Sequence, residues 1–151
     1  NSVVQVKEIE AKAKEKNLEV MLQGVSSLAE LSQATKNALI ETDALYLPTD
    51  NLVASVVNLI TEKATAAKKV AFGAEAAHVK GGALITQGID YYEMGKEAGK
   101  IAVDILKNGK SPSEITFKKM DLNDIVINNK TLAAIGISLP EDIKSKAKTI
   151  D

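Results

Sequence analysis

An α/β fold, a doubly wound parallel sheet with helices on its faces, is what this sequence predicts, and three observations predict it. Short apolar runs such as ALYL and VAFG alternate with stretches whose apolar residues recur at helical spacing. The connections between them are only a few residues long, as in chains of strand–helix units. The apolar content is Val, Ile, Leu and Ala, with aromatics at 3% and no Trp, a set that suits packed α/β layers.

Each element has a local reason. In residues 3–16, Val3, Val6, Ile9 and Ala13 share one helical face, while Glu8→Lys12 and Glu10→Lys14 form well-oriented i,i+4 pairs on the other. Asn17 ends that helix, and residues 18–25 (LEVMLQGV) read as a short apolar strand. Ser27-x-x-Glu30 is a capping box that starts a second helix with Leu28, Leu31, Ala34 and Ala38 inward. Residues 44–47 are a strand running into Pro48, and residues 50–67 a third helix with Val53, Val56, Val57, Ile60 and Ala64 inward. A strand at 70–73, a short helix near 75–80 and a strand at 83–89 follow.

The last third reads differently. Residues 91–108 form a long amphipathic helix with Met94, Ala98, Ile101, Ala102 and Ile105 on one side, closed by Gly109. Residues 115–120 and 125–127 are expected as short strands and 131–135 as a small helix ending at Gly136. Pro140 opens a terminal helix. The chain also begins directly on a helix, whereas in doubly wound sheets a central strand precedes the first helix. The expectation is therefore a strand upstream of Asn1, lying between LEVMLQGV and ALYL. Without it the 151 residues would not be an autonomous domain.

Composition narrows the function classes. A net charge of −1 with dispersed lysines gives no nucleic-acid surface. The absence of Cys excludes disulfides, thiolate metal sites and Cys nucleophiles, and the single histidine, His78, excludes zinc sites built from several histidines. There is no phosphate-binding loop, and Gly81-Gly82 lacks the strand–turn–helix setting of a dinucleotide site. No apolar run reaches the ~20 residues of a membrane span, and no leader pattern opens the sequence. His78 reads as a surface or half-buried residue rather than a base. No cofactor, metal ion or catalytic residue is expected.

In open α/β sheets ligands bind beyond the carboxyl ends of the strands. Those ends carry Thr49, Asp50 and Asn51 after ALYL, Glu75 after VAFG, and Asp90 with Tyr91 after ALITQGI; Asn1 and Ser2 stand at the same edge. Each has a plainer use. Thr49 or Asp50 can cap the third helix and Asp90 the long one, while Glu75 suits the positive end of a short helix. Tyr91 is as readily core as rim. Capping needs one residue per helix, however, and Pro48-Thr49-Asp50-Asn51 offers three. Carboxylates there suit a ligand ammonium and free helix N–H groups a ligand carboxylate, so a zwitterion such as an amino acid would use both. A hard cation is the competing use of three carboxylates, although their spacing follows no loop motif.

Three runs, NSVVQVKEIEAKAKEKNLEV, DALYLPTDNLVASVV and VKGGALITQGIDYYEMGKEAGKIAVDILKNG, carry a resemblance, which continues through LNDIVINNKTLAAIGISLPEDI. The sequence resembles the extracytoplasmic substrate-binding proteins of an ABC transporter family associated with tryptophan and other aromatic amino acids. It departs from that pattern near VAFGAE, where a Pro commonly stands in place of Val70. The resemblance implies a periplasmic-binding-protein-like fold of two doubly wound lobes. Residues 1–90 would belong to the C-terminal lobe, and 91–151 would supply hinge-crossing segments that pack on the other lobe. Asn1, Ser2, Thr49, Asp50, Asn51, Glu75, Asp90 and Tyr91 would line the cleft. The partners implied are a small amino-acid-like solute and the permease and ATPase subunits of an importer. The implied location is extracytoplasmic, with a lipid anchor upstream of Asn1.

The leading expectation is thus a binding module that captures a solute by lobe closure. Two alternatives stand beside it: the ligand-sensing domain of a transcription regulator, and a small flavodoxin-like enzyme using Asp50 and Glu75 with a metal. Fold alone does not choose among them.

Overall fold

The computed structural model describes residues 2–116, 119–121 and 124–151. The chain runs through α1 (Ser2–Glu15), α2 (Leu28–Glu41), β1 (Ala44–Leu47), α3 (Asn51–Ser55), α4 (Val57–Ala66), β2 (Val70–Gly73) and α5 (Ala76–Lys80). It continues through β3 (Ile85–Gly88), α6 (Tyr91–Leu106), a 3₁₀ turn (Pro112–Glu114), β4 (Asp124–Asn128), α7 (Asn129–Ile135), α8 (Glu141–Lys144) and β5 (Lys148–Ile150). The strands form one sheet in the order β1-β2-β3-β4-β5. The β1–β2, β2–β3 and β4–β5 pairs are parallel and β3–β4 is antiparallel. Strands β4 and β5, though late in the sequence, belong to the same layer as β1–β3.

The core follows from the helical spacing. Leu31 from α2, Ile60 and Ala64 from α4, Leu47 from β1, Ala71 from β2, Val79 from α5 and Val126 from β4 make one buried cluster. Leu84 and Ile127 are the largest fully buried side chains. Helix α2 packs on β1, α4 on β2, α5 on β2, β3 and β4, and α7 on β4. Helix α6 buries none of its residues.

The structure departs from the sequence expectation at four places. Residues 18–25 form no strand. An extended apolar run becomes a strand only when a neighbour takes its N–H and C=O groups, and β1 pairs with β2 alone. Leu22, Gln23, Gly24 and Val25 instead form one wall of a groove of about 510 Å³, whose other walls include α1, α2 and Leu45–Leu47 of β1. The helix expected at 50–67 breaks at Val56 (φ −131°, ψ 20°). The Val56 N–H turns back to Val53 O, and the break lets Val57 press so close to Gly81 that a Cβ there would lie 2.4 Å from Val57 Cγ1. Residues 115, 116, 119 and 120 are not in a strand, and the middle of that expected strand lies outside the described residues. Strand β5 was unexpected, because three residues, Lys-Thr-Ile, carry too short an alternation to register.

Polar locks hold the β2–β4 side. Thr61 Oγ1 donates to Gly81 O (2.6 Å), Asn128 Nδ2 to Val79 O (3.1 Å) and Thr131 Oγ1 to Gly82 O (3.0 Å). Gly82 adopts φ +99°, and a Cβ there would meet Thr61 Oγ1 at 2.6 Å, so both conformation and space demand glycine.

Candidate ligand-binding site

Parallel pairing brings the carboxyl ends of β1, β2 and β3 to one rim. Leu47 is in register with Gly73, Gly73 with Thr86, and the Ala74 N–H donates to Leu47 O (3.0 Å). Three corners leave this rim.

At the first corner, Asp50 is the N-cap of α3. Its Oδ1 accepts from the Leu52 and Val53 N–H groups (2.8 and 3.2 Å). Thr49 is not the cap. It pairs reciprocally with Gln5 of α1: Thr49 N donates to Gln5 Oε1 (2.9 Å) and Gln5 Nε2 to Thr49 Oγ1 (3.1 Å). Asn51 opens α3 with an exposed side chain. The three polar residues of this corner therefore divide into a tie to α1, a cap and an exposed amide. Ser2, the first residue of α1, and Asp50 both line the 510 Å³ groove. Asn1 lies outside the described residues.

At the second corner, Gly73 ends β2 because a Cβ there would strike His78 Cβ at 2.6 Å. His78, expected at the surface or half-buried, is 0% exposed. The local reason is that α5 follows β2 after two residues and turns its His78-Val79 face onto the sheet. The His78 Nε2 lies 3.4 Å from Glu75 Oε1, and neither ring nitrogen has a hydrogen-bond partner. Burial pushes the His78 imidazole below its usual range, and the Glu75 charge and the Leu47 carbonyl oppose that shift. Glu75 precedes α5 without capping it.

At the third corner, Asp90 caps α6. Its Oδ1 accepts from the Tyr92 and Glu93 N–H groups (2.9 and 3.2 Å), and its Oδ2 accepts from Lys148 Nζ (3.2 Å). The Glu93 amide and Lys148 hold this carboxyl below the usual carboxylate range. Lys148 also pairs with Asp124 (2.6 Å), and the two carboxylates, Asp124 foremost, raise its ammonium. Tyr91 is half exposed and donates its hydroxyl to Glu75 Oε2 (3.1 Å), which joins the second and third corners. Burial first, then the Glu75 charge, push the Tyr91 phenol up.

Glu75, Tyr91 and Asp90 thus come together on one side of the rim, and Ser2, Thr49, Asp50 and Asn51 on the other, beside β1. One expectation needs correction: the N–H groups expected to be free at the helix starts are taken by the Asp50 and Asp90 caps at the second and third helical positions. Sequence reasoning did not find Gln5, Lys148 or Asp124, whose partners are distant in the chain. His78 carried a local signal, its i,i+3 spacing from Glu75. Among the described residues, no group of three or more His, Asp or Glu side chains is arranged to hold a metal ion.

Residues 1–150 match the family described as ABC transporter substrate binding protein. The chain belongs to that family. A curated member, the tyrosine-binding protein of Clostridioides difficile (strain R20291), is 37% identical over 135 residues, which cover 89% of this chain and 39% of that protein. Among solved structures, the ABC domain from Streptococcus pneumonia in complex with L-Trp matches with TM-score 0.83 and 29% identity. The ligand-free, open structure of a substrate binding protein with adhesive properties from Clostridium difficile matches with TM-score 0.77 and 33% identity. Each match covers 99% of this chain and 50% of the other. The chain thus spans about two-fifths of this curated relative and half of these solved chains. The α/β arrangement with its mostly parallel five-stranded sheet is a periplasmic-binding-protein-like fold.

Proposed function

We propose that the rim described above is one wall of a cleft that captures an amino acid, aromatic ones foremost, for delivery to the permease and ATPase subunits of an importer. The observation that carries this reading is the joining of Glu75 and Tyr91 at adjacent strand ends. It sets a carboxylate for the ligand ammonium beside a half-exposed aromatic ring for its side chain. Relatives described as tyrosine-binding and as bound to L-Trp support the solute class. Asn51, with its exposed amide, and Ser2, Thr49 and Asp50 form the β1 side of the same wall, and Asn1 belongs with them by position.

The second wall is another lobe, on the α6 side of the 91–151 segment, whose β4, α7 and β5 stay with the sheet described above. Helix α6 supports this with Met94, Ala98, Ile101 and Ile105, which line a groove with Pro112, Ile115 and Met120. The rim performs no chemistry, and the protein works outside the cytoplasm, held there by a lipid anchor. Among the described residues no helix is long and apolar enough to cross a membrane.

Calorimetric titration of the full-length protein with L-tyrosine and L-tryptophan tests this reading. Glu75→Gln is expected to weaken binding about tenfold or more, the scale of a lost charge-assisted hydrogen bond. Asp50→Ala is expected to cost about 1 kcal/mol of stability as a lost cap and a larger share of affinity. Absence of binding to either amino acid, or an affinity indifferent to Glu75→Gln, overturns it.

A further inference from the structure

The His78 imidazole stands out in the interior, where Thr86 Oγ1 is also without a hydrogen-bond partner. His78 is 0% exposed, yet both ring nitrogens lack hydrogen-bond partners. A buried polar group left unpaired is costly, and such groups in folded proteins call for an explanation. The surroundings supply one. The ring sits beneath the β2 end, where Gly73 alone leaves room for it. Its Nε2 faces Glu75 Oε1 at 3.4 Å, too long for a hydrogen bond, while the other oxygen of the same carboxylate receives the Tyr91 hydroxyl at 3.1 Å. Glu75 is thus approached on both oxygens, from below by a buried ring and from the side by a rim tyrosine.

We propose that His78 is a positioning residue: it aims the Glu75 carboxylate at the ligand ammonium, and its contact with Glu75 shortens into a hydrogen bond when a ligand binds. This inference rests on the solute site proposed above. A neutral imidazole suits the task, because its Nε2–H donates to Glu75 without cancelling the negative charge that attracts the ammonium. An imidazolium would neutralise that charge and compete with the ligand. Burial disfavours the imidazolium. Of the charged groups nearby, Glu75 acts on the ring directly and Tyr91 through Glu75; from β1 the ring meets the Leu47 carbonyl. Asp90, Asp124 and Lys148 on the neighbouring elements are engaged with one another.

The test compares the full-length protein with His78→Gln, which keeps a neutral donor near the Nε2 position, and His78→Leu, which fills the space without one. L-Tyrosine is the titrant, from pH 8 to pH 5. His78→Leu should lose about tenfold in affinity while His78→Gln stays within about threefold of the parent. The parent's affinity should fall only well below the ordinary histidine range of about 6.5, because burial lowers the His78 imidazole, and that arm should be absent from His78→Gln. Thermal melting of both variants separates misfolding from mispositioning. If the parent binds L-tyrosine but its pH profile superimposes on that of His78→Gln, or if His78→Leu binds as tightly as the parent, the inference is overturned.

A parent that binds no L-tyrosine would instead count against the site reading. Ligand-free ¹⁵N imidazole spectra then decide the inference: His78 should titrate at a lower pH in Glu75→Gln than in the parent. An unchanged titration overturns it.

Discussion

The two flanks of the sheet are built from the same kinds of apolar residue and end differently. On the β2–β4 flank, Ala71, Val79, Ala83, Leu84 and Ile127 are almost fully buried, and Thr61, Asn128 and Thr131 fasten helices to backbone carbonyls between them. On the β1 flank, Val3, Val4, Leu18 and Leu22 are exposed, and α1 buries only Ala13. What joins α1 to the rest includes the Gln5–Thr49 pair, and beside it the 510 Å³ groove stays open. Apolar composition does not itself close a core. On the first flank each strand has a neighbour on both sides, and Thr61, Asn128 and Thr131 fix the turn that ends α5. On the second, β1 has one neighbour, and the apolar run at 18–25 has no ladder to join.

The comparison breaks most easily at the largest buried side chains. Leu84→Ala, at a position 1% exposed, is expected to destabilise the protein by about 2–5 kcal/mol. Val3→Ala, 65% exposed on α1, should change stability by less than about 0.5 kcal/mol. Urea unfolding of both measures the contrast, and comparable losses would mean that α1 is as firmly packed as the core.

A middle-sized effect is expected from Asn128→Ala. The Asn128 side chain donates to Val79 O and accepts from the Thr131 N–H (2.9 Å), so truncation leaves the Thr131 N–H unpaired and Val79 O with the Gly82 N–H as its remaining donor. The expected cost is about 1–3 kcal/mol, with loosened packing at the start of α7. Amide hydrogen exchange should show Thr131 losing protection first; unaltered protection there would refute the lock.

A smaller loss tests the β1 side. Gln5→Ala removes both bonds to Thr49, and its expected cost is about 0.5–1.5 kcal/mol, with faster amide exchange at Thr49. If exchange at Thr49 is unchanged, some other contact holds α1 to the rim.

The sequence by itself determined the alternation of helices and strands, because that rests on the period of apolar residues and on local caps such as Ser27, Asp90 and Gly136. It also determined that Glu75, Asp90 and Tyr91 would share one edge, since parallel strands joined by short helices put all their carboxyl ends together. Only the tertiary structure decided which of these residues touch. The Thr49 hydroxyl goes to Gln5, 44 residues away, Asp90 meets Lys148 across 58 residues, and Tyr91 reaches Glu75 across 16. Whether a short run becomes a strand was likewise decided by packing: Lys-Thr-Ile pairs with β4, whereas LEVMLQGV leaves the outer edge of β1 unpaired and its residues 22–25 line the groove instead. Periodicity is a property of neighbours in sequence, whereas a hydrogen bond to a distant partner is a property of the packed chain.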